Sequence, residues 1–519
     1  MKKPAFFSDE SPFYPFLILT NVIITTLFTV VSAVVTIIAN TSIQGELALS
    51  DTASIWVTTL YLLGINTTVP VATWLANHFG DTRMYTYGVL LFTLGSAIVG
   101  FSNHFAILAV ARVIEGVGAG LIFPIGLGLI VRSLPKEKIS LALNLYIGGA
   151  FGGGLGLGIP LSGYLTQYVT WRAVFWLIIP LGLLAALFCW LSRRKVALTE
   201  KTPFDPWGFL LFATFIASLL IALTLAPIKA TTGGWRSWYI IALLLLSAIC
   251  LIATIIVERR HSHPNLPIVL FKDSIFTISS IAMFLLGMSL FASVAVSIDY
   301  MINALGYEKF VTGKIAMVYG LTMASCSILA SQLIKIIPVP VMTFAGLSIL
   351  IYSYFLNNEL NWLTGVDQVL WILFLRGMGT GLALGPTTLL ALHGIAPELR
   401  GSAATLLTFF RQIGNTYGGT LVAIFTIRRT IFHAARFGEQ ANNQLPAYKM
   451  AFYNLYDKFP DASQAKAAIV KNIEIQAYIQ GLNDAMIIFG YITCVVTAVL
   501  LITILIRMLK MRTKSATMP

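Results

Sequence analysis

The sequence predicts an all-α membrane protein with fourteen transmembrane helices. Three observations carry that reading. Of 519 residues, 57% are hydrophobic and only 11% are charged, whereas soluble proteins are about a quarter charged. Mean hydropathy is +0.84. The apolar residues also gather into runs of about 20, the length a helix needs to cross the hydrocarbon.

In order, the runs are 15–38, 54–75, 84–101, 105–131, 141–165 and 173–192, then 207–226 and 238–257. They continue with 275–302, 312–334, 339–356, 367–393, 402–427 and 485–508. Runs 84–101 and 339–356 are the shortest. The first run is not followed by a small-residue cleavage site, so it reads as part of the mature chain. The predicted organisation is a cytoplasmic N-terminus (1–14), a six-helix bundle (15–192), an inserted helix pair (207–257), a second six-helix bundle (275–508) with an external segment (428–484), and a basic tail (509–519).

An even number of crossings puts both termini on one side. Loops and adjoining span ends on that side carry 19 Lys and Arg, against 5 at the short loops and span ends opposite. Positive charge accumulates on the cytoplasmic side, so both termini are expected there. The formal net charge of +13 thus faces lipid headgroups rather than nucleic acid. Cys189, Cys250, Cys326 and Cys494 all sit in apolar runs without metal-ligand spacing, as packing residues do.

Two segments echo each other. Span four has Arg112 and Glu115 before Gly116, Gly118 and Gly120, then Phe123-Pro124; span twelve has Arg376 before Gly377, Gly379 and Gly381, then Gly385-Pro386. Duplication of this kind typifies secondary transporters, although glycine is common in membrane helices generally. Span five is richer still, with Gly148, Gly149, Gly152, Gly153, Gly154, Gly156, Gly158, Pro160 and Gly163. Each interior glycine costs up to about 1 kcal/mol of helix propensity, so close packing on a neighbour that slides or rocks is expected to offset it.

These segments resemble the major facilitator superfamily, in its fourteen-helix drug:proton antiporter branch of the EmrB/QacA type. The resemblance runs over most of the chain. It rests on Trp56 to Leu63 in the second helix, Arg112 to Gly120 in the fourth and Gly148 to Gly163 in the fifth. Trp171-Arg172 to Gly182 in the sixth and Arg400-Gly401 with Arg411-Gln412 in the thirteenth add to it. The fold it implies has two six-helix halves plus an inserted helix pair, with substrate bound near the midplane between the halves.

The departures from the family pattern are specific. Glu115 stands where the fourth-helix motif usually has glutamine. Ser32 stands where relatives often have a first-helix aspartate, and span one has no acidic residue, which argues against a simple exporter of cations. Asn77 replaces an expected aspartate in the loop after span two, leaving Gly80, Asp81 and Arg83 as the candidate cytoplasmic gate. The proline of span five, Pro160, falls one place late.

Ionisable groups inside membrane helices are costly unless paired or hydrated. Arg112 and Glu115, three apart, share a helix face. Two readings stay open: Glu115 exchanges a proton as its solvation changes, or the pair remains ionised and braces span four. Asp299, near the external end of span nine, is a second candidate for proton coupling or substrate contact, or an interfacial carboxylate near Lys309. Arg376 and Arg411 either brace helix ends or reach substrate. With Ser32, Trp56, Tyr61, Phe123, Tyr146, Phe151 and Tyr300, they make up the candidate substrate cavity, since aromatic linings suit bulky amphipathic ligands.

The external segment 428–484 contains Asp461-Ala-Ser-Gln464, a capping-box pattern, and an apolar pair, Ile469 and Ile473, that supports an amphipathic helix to about 482. Tyr448, Phe452 and Tyr456 recur every four residues in a shorter helix. In EmrB-like relatives a comparable insertion precedes the last helix and the pumps work with a periplasmic adaptor and an outer-membrane channel. The resemblance implies the same partners here; the other reading is a lid over the exit.

The expected function is export of amphipathic small molecules across the inner membrane, driven by inward proton movement. Two alternatives remain: a dedicated exporter of one metabolite, such as a siderophore or fatty acid, and a non-transporting membrane receptor or scaffold. The polar segments contain no nucleotide loop, metal cluster or nucleophile–base arrangement. No enzyme activity, cofactor or metal is therefore expected.

Overall fold

The computed structural model describes residues 14–192, 204–226, 234–260, 268–396, 399–440, 450 and 462–516. Among them every regular element is helical. The membrane-length helices are α1 (Tyr14–Ile38), α2 (Asp51–Phe79), α3 (Asp81–Phe101), α4 (Phe105–Ser133), α5 (Lys138–Tyr168) and α6 (Arg172–Leu191), with α7 (Pro206–Leu225) and α8 (Trp238–Arg260) after them. The second half contains α9 (Ser274–Ala304), α10 (Lys309–Leu333), α11 (Val339–Phe355), α12 (Val366–Leu392), α13 (Arg400–Gln440) and α14 (Ala462–Ala516).

Thirteen of these helices are long and apolar enough to cross a membrane. The exception is α13. Its predicted run, 402–427, is helical, but Arg411, Gln412, Asn415 and Thr416 interrupt the apolar surface and are themselves buried. Those polar groups face protein, so α13 need not be as lipid-like as its neighbours.

The helices form two bundles, α1–α6 and α9–α14, with α7 and α8 paired beside them. Between the bundles the main seam is α5 on α10, and a second contact joins α2 to α13. Helix α7 packs along α2 and also reaches α13.

The glycines of α5 explain both of its neighbours. A Cβ at Gly148, Gly152 or Gly156 would run into Ala324, Gly320 or Leu321 of α10, and one at Gly163 into Lys309. A Cβ at Gly149, Gly154 or Gly158 would instead meet Ile23, Val30 or Val31 of α1, and Gly153 lies against Leu27. The helix therefore has two smooth faces, one on each bundle. It is wider than an ordinary α-helix over Ile147–Gly152, where it adopts π-helical geometry, a local feature common at functional sites. Pro160 packs against Gly313 of α10.

The internal echo is structural, in the register that its glycines set. A Cβ on Gly116 would meet Tyr61 O, one on Gly118 would meet Phe92 N and Gly88 O, and one on Gly120 would meet Ile65 O. In the second half Gly377 takes Tyr319 O, Gly379 takes Leu350 N and Gly346 O, and Gly381 takes Met323 O. The glycines match one for one in their contacts, which places Arg376 opposite Glu115.

The segment 428–484 is less of a loop than its polarity suggests. Helix α13 runs on to Gln440 and α14 starts at Ala462, so much of the segment extends the two spans. These extensions are joined where Arg429 Nε and His433 Nε2 meet Asp484 Oδ2 at 2.5 and 2.7 Å. The predicted amphipathic helix to about 482 forms the first turns of α14. Asp461 of the capping box, and Tyr448, Phe452 and Tyr456, lie outside the described residues.

Candidate functional site: a buried ion pair, a central cavity and two lone arginines

Arg112 and Glu115 are fully buried inside the first bundle. Their spacing on α4 brings Arg112 Nη1 to 2.6 Å from Glu115 Oε2. The other carboxylate oxygen accepts from Ser32 Oγ of α1 and Ser96 Oγ of α3, both at 2.6 Å. Arg112 also donates to Ser32 Oγ at 2.9 Å and, through Nε, to Val57 O at 3.0 Å. Its guanidinium lies 4.3 Å from the centre of the Tyr61 ring, and the Tyr61 hydroxyl donates to Thr29 O at 2.9 Å. One carboxylate thus ties α1, α3 and α4 together. The two family departures, serine at 32 and glutamate at 115, turn out to be hydrogen-bonded to each other.

Between the bundles lies a cavity of about 360 Å³. It opens at the end of the molecule opposite the N-terminus, among the last residues of α1 and α9 and the first turns of α2. Towards the other end it is closed by Asn66 Nδ2 donating to Thr416 Oγ1 at 2.6 Å and by Thr73 and Thr405 hydroxyls 2.9 Å apart. Both bonds join α2 to α13. The wall mixes apolar groups such as Leu62, Leu223 and Phe291 with neutral polar ones such as Thr58 and Asn415. Asp299 is the one charged residue in the lining, and its side chain is exposed there.

This lining differs from the one read in the sequence. Ser32, Trp56, Tyr61, Phe123, Tyr146, Phe151, Tyr300, Arg376 and Arg411 all lie outside it. The lining positions of α2 are Ser54, Ile55, Thr58, Thr59 and Leu62, which leaves Trp56 on another face. Tyr300 donates to Asn361 O at 2.5 Å. Phe123, Phe151 and Tyr146 form an aromatic cluster, with ring centres 5.8 and 5.9 Å apart. What sequence reading missed is the run of small polar residues on α2 and α13. Their signal is the four-residue spacing of Asn415, Gly419 and Ala423, and of Thr416 and Thr420.

Arg376 is fully buried on α12 with no carboxylate beside it among the described residues. Its donors rest on Ser297 Oγ at 3.3 Å and on the carbonyls of Ser353 and Ser293 at 3.4 and 3.5 Å. Tyr354 supplies a ring face at 5.3 Å. Arg411 on α13 is buried at the junction of the bundles, its guanidinium 4.3 Å from the Phe151 ring centre in the other half. Its Nε and Nη2 have no hydrogen-bond partner among the described residues. A desolvated cation–π contact is worth about 2 kcal/mol, less than the several kcal/mol of desolvating a guanidinium. Besides this ring Arg411 has the Tyr146 hydroxyl nearby, and no carboxylate is paired with it among the described residues.

At the end near the N-terminus, Gly80 links α2 to α3 with φ +94°, a conformation that other residues adopt only with strain. Asp81 is the first residue of α3, and its side chain accepts from Thr82 N at 2.8 Å. Its cationic partner is Arg132 at the end of α4, 3.4 Å away, and Arg132 also donates to Asn77 Oδ1 at 3.3 Å. Arg83, which the sequence placed in this gate, is directed instead to Tyr87 at 3.4 Å.

Comparison with known proteins places this architecture. Residues 21–215 match the family model described as Major Facilitator Superfamily. The chain is 26% identical to the multidrug transporter protein MdtP of Bacillus subtilis (strain 168), over 91% of this chain and 83% of that one. It is 24% identical to the multidrug export protein EmrB of Haemophilus influenzae, over 88% and 90%. The multidrug resistance protein Stp of Mycobacterium tuberculosis is 29% identical over 74% and 71%. Among solved structures, an auto-inhibited POT family peptide transporter superposes with a TM-score of 0.61 at 13% identity, covering 94% of this chain and 96% of its own. A bacterial homologue of the lysosomal transporter Spinster, inward-facing and unoccupied, gives 0.57 at 16%, covering 95% and 97%. These two likenesses establish the fold.

Proposed function

We propose that this chain, a member of the Major Facilitator Superfamily, exports amphipathic small molecules across the inner membrane in exchange for protons. The observation that carries the reading is the central cavity, open at one end and closed at the other by side-chain bonds between α2 and α13. Alternating access requires such a closure to break at one end as it forms at the other. Loop charge argues that the open end faces outward and that both termini are cytoplasmic. A wall of apolar and neutral polar groups suits amphipathic cargo of varied shape, in keeping with the names carried by MdtP, EmrB and Stp.

In this proposal Asp299 meets protons arriving from outside, because its carboxylate is exposed in the cavity. Glu115 is the internal coupling group. Three donors, from Ser32, Ser96 and Arg112, hold its carboxylate in the observed conformation. A shift of α1 along the smooth face of α5 would withdraw Ser32 and weaken that hold, opening a place for a proton. Uptake of the proton would in turn loosen α1, α3 and α4 from one another. A second reading, that the pair is a permanent brace, is favoured by its complete burial and by the three donors on Glu115. On the outer side, the joined extensions of α13 and α14 offer a helical surface to a periplasmic adaptor leading to an outer-membrane channel.

The test is solute flux in proteoliposomes with and without a pH gradient. Export reading predicts concentrative transport that stops when the gradient is dissipated, and loss of that transport in Glu115→Gln. Gradient-driven transport at the wild-type rate in Glu115→Gln assigns Glu115 to bracing. Absence of any gradient-dependent flux in the wild type removes the exporter reading.

A further inference from the structure

We propose that Arg411 is an anion-binding subsite beneath the floor of the cavity, and that the chain accepts organic anions that carry an aromatic ring. This deepens the exporter reading and rests on it.

Arg411, Asn415 and Gly419 are spaced by four and share one face of α13. The last two line the cavity, so Arg411 sits one turn below, about 6 Å along the axis at 1.5 Å per residue. The guanidinium remains charged at any physiological pH. Its Nε and Nη2 donors have no partner among the described residues, and neither does Oδ1 of Asn415 above it. Asp299 is too far to serve as counter-ion. The backbone of Arg411 packs on Gly287, twelve residues before Asp299 on α9, or about 18 Å along that helix.

What Arg411 does have is the Tyr146 hydroxyl nearby and an aromatic floor. Phe151 lies under its guanidinium at 4.3 Å and stacks on Phe123 at 5.8 Å. Those rings belong to the first bundle and Arg411 to the second. Any rocking of the bundles therefore opens the gap between cation and ring. A carboxylate entering that gap can take the two unmet N–H donors as a planar pair, while an attached ring stacks on Phe151. A neutral or cationic molecule of the same shape would gain the stacking alone.

The experiment measures binding to the purified full-length chain in lipid nanodiscs, using 1-naphthoate, 1-naphthamide and 1-naphthylmethylammonium as matched probes. The wild type should bind naphthoate at least about tenfold more tightly than naphthamide, the scale of a hydrogen bond to a charged group. Arg411→Gln should erase that preference without changing naphthamide affinity, and Arg411→Lys should retain part of it. Phe151→Ala should weaken all three probes. The proposal is overturned if the wild type shows no preference for naphthoate or binds none of the probes. It is equally overturned if Arg411→Gln or Arg411→Lys keeps the full preference; the lysine variant decides if the glutamine variant does not fold. Gradient-driven export of a neutral amphipath is measured separately. Its loss alone would remove the exporter reading while leaving the subsite standing.

Discussion

Glu115 and Arg376 occupy matching positions in the two halves, each one residue before the first of three alternating glycines, and they carry opposite charges. The match is fixed by contacts: Gly116 lies on Tyr61 O and Gly377 on Tyr319 O. The acidic member is saturated by Ser32, Ser96 and Arg112. Its basic counterpart is held by bonds of 3.3 Å or longer and has an unpartnered Nε among the described residues. The first half thus pairs its buried arginine with a carboxylate, although Arg112 Nη2, like Arg376 Nε, has no partner among the described residues.

Glu115→Gln should abolish proton-driven transport while membrane insertion persists, with a lowered melting temperature because Arg112 loses its buried counter-charge. Glutamine keeps the size and an acceptor oxygen for Ser32 and Ser96 but cannot titrate. Flux in vesicles, compared with expression and melting temperature, checks this.

Arg112→Met should destabilise the chain by about 3 kcal/mol or more, because it leaves a buried carboxylate without its cation. Replacing both partners, Arg112→Met with Glu115→Met, should recover much of that loss in stability and none of the transport. Thermal unfolding of the two single variants and the double variant gives the coupling.

Gly156→Val should impair both packing and flux. Its side chain would enter Leu321 and Gly320 on α10, and such overpacking costs about 1–3 kcal/mol. Gly419→Val, where a Cβ meets nothing within 4 Å, should leave stability unchanged and narrow the cavity instead. Melting temperature and transport rate separate the two.

Asn77→Asp should strengthen the closure at the N-terminal end by giving Arg132 a second carboxylate. The site is exposed, so the gain should be within about 1 kcal/mol, and its sign is what matters. In a cysteine-free background, a cysteine at Thr420, which lines the cavity, should react faster with an impermeant thiol reagent in Asn77→Asp and slower in Arg132→Gln.

Much of this was legible in the sequence because the bilayer imposes a simple length rule. Thirteen runs became membrane-length apolar helices, and the glycines of span five did mark a close seam. The contact register was not legible. Alternating glycines announce that backbones approach but not which neighbour each admits. Arg132 was missed as the partner of Asp81 because the two are 51 residues apart and only helix packing brings them together. The cavity wall was misread for a related reason. Aromatic residues stand out in a sequence, whereas threonines on α2 and α13 look like filler until their shared face is seen. Positions 441–449 and 451–461 lie outside the described residues.

The paired smooth faces of α5 have a kinetic consequence. Where side chains interlock, two helices can shift only by lifting knobs out of holes, and each lift adds to the barrier. Glycine backbones offer little to lift. Bulk added along α5 should therefore slow the turnover step before it changes which conformation is preferred, making this helix a bearing more than a latch.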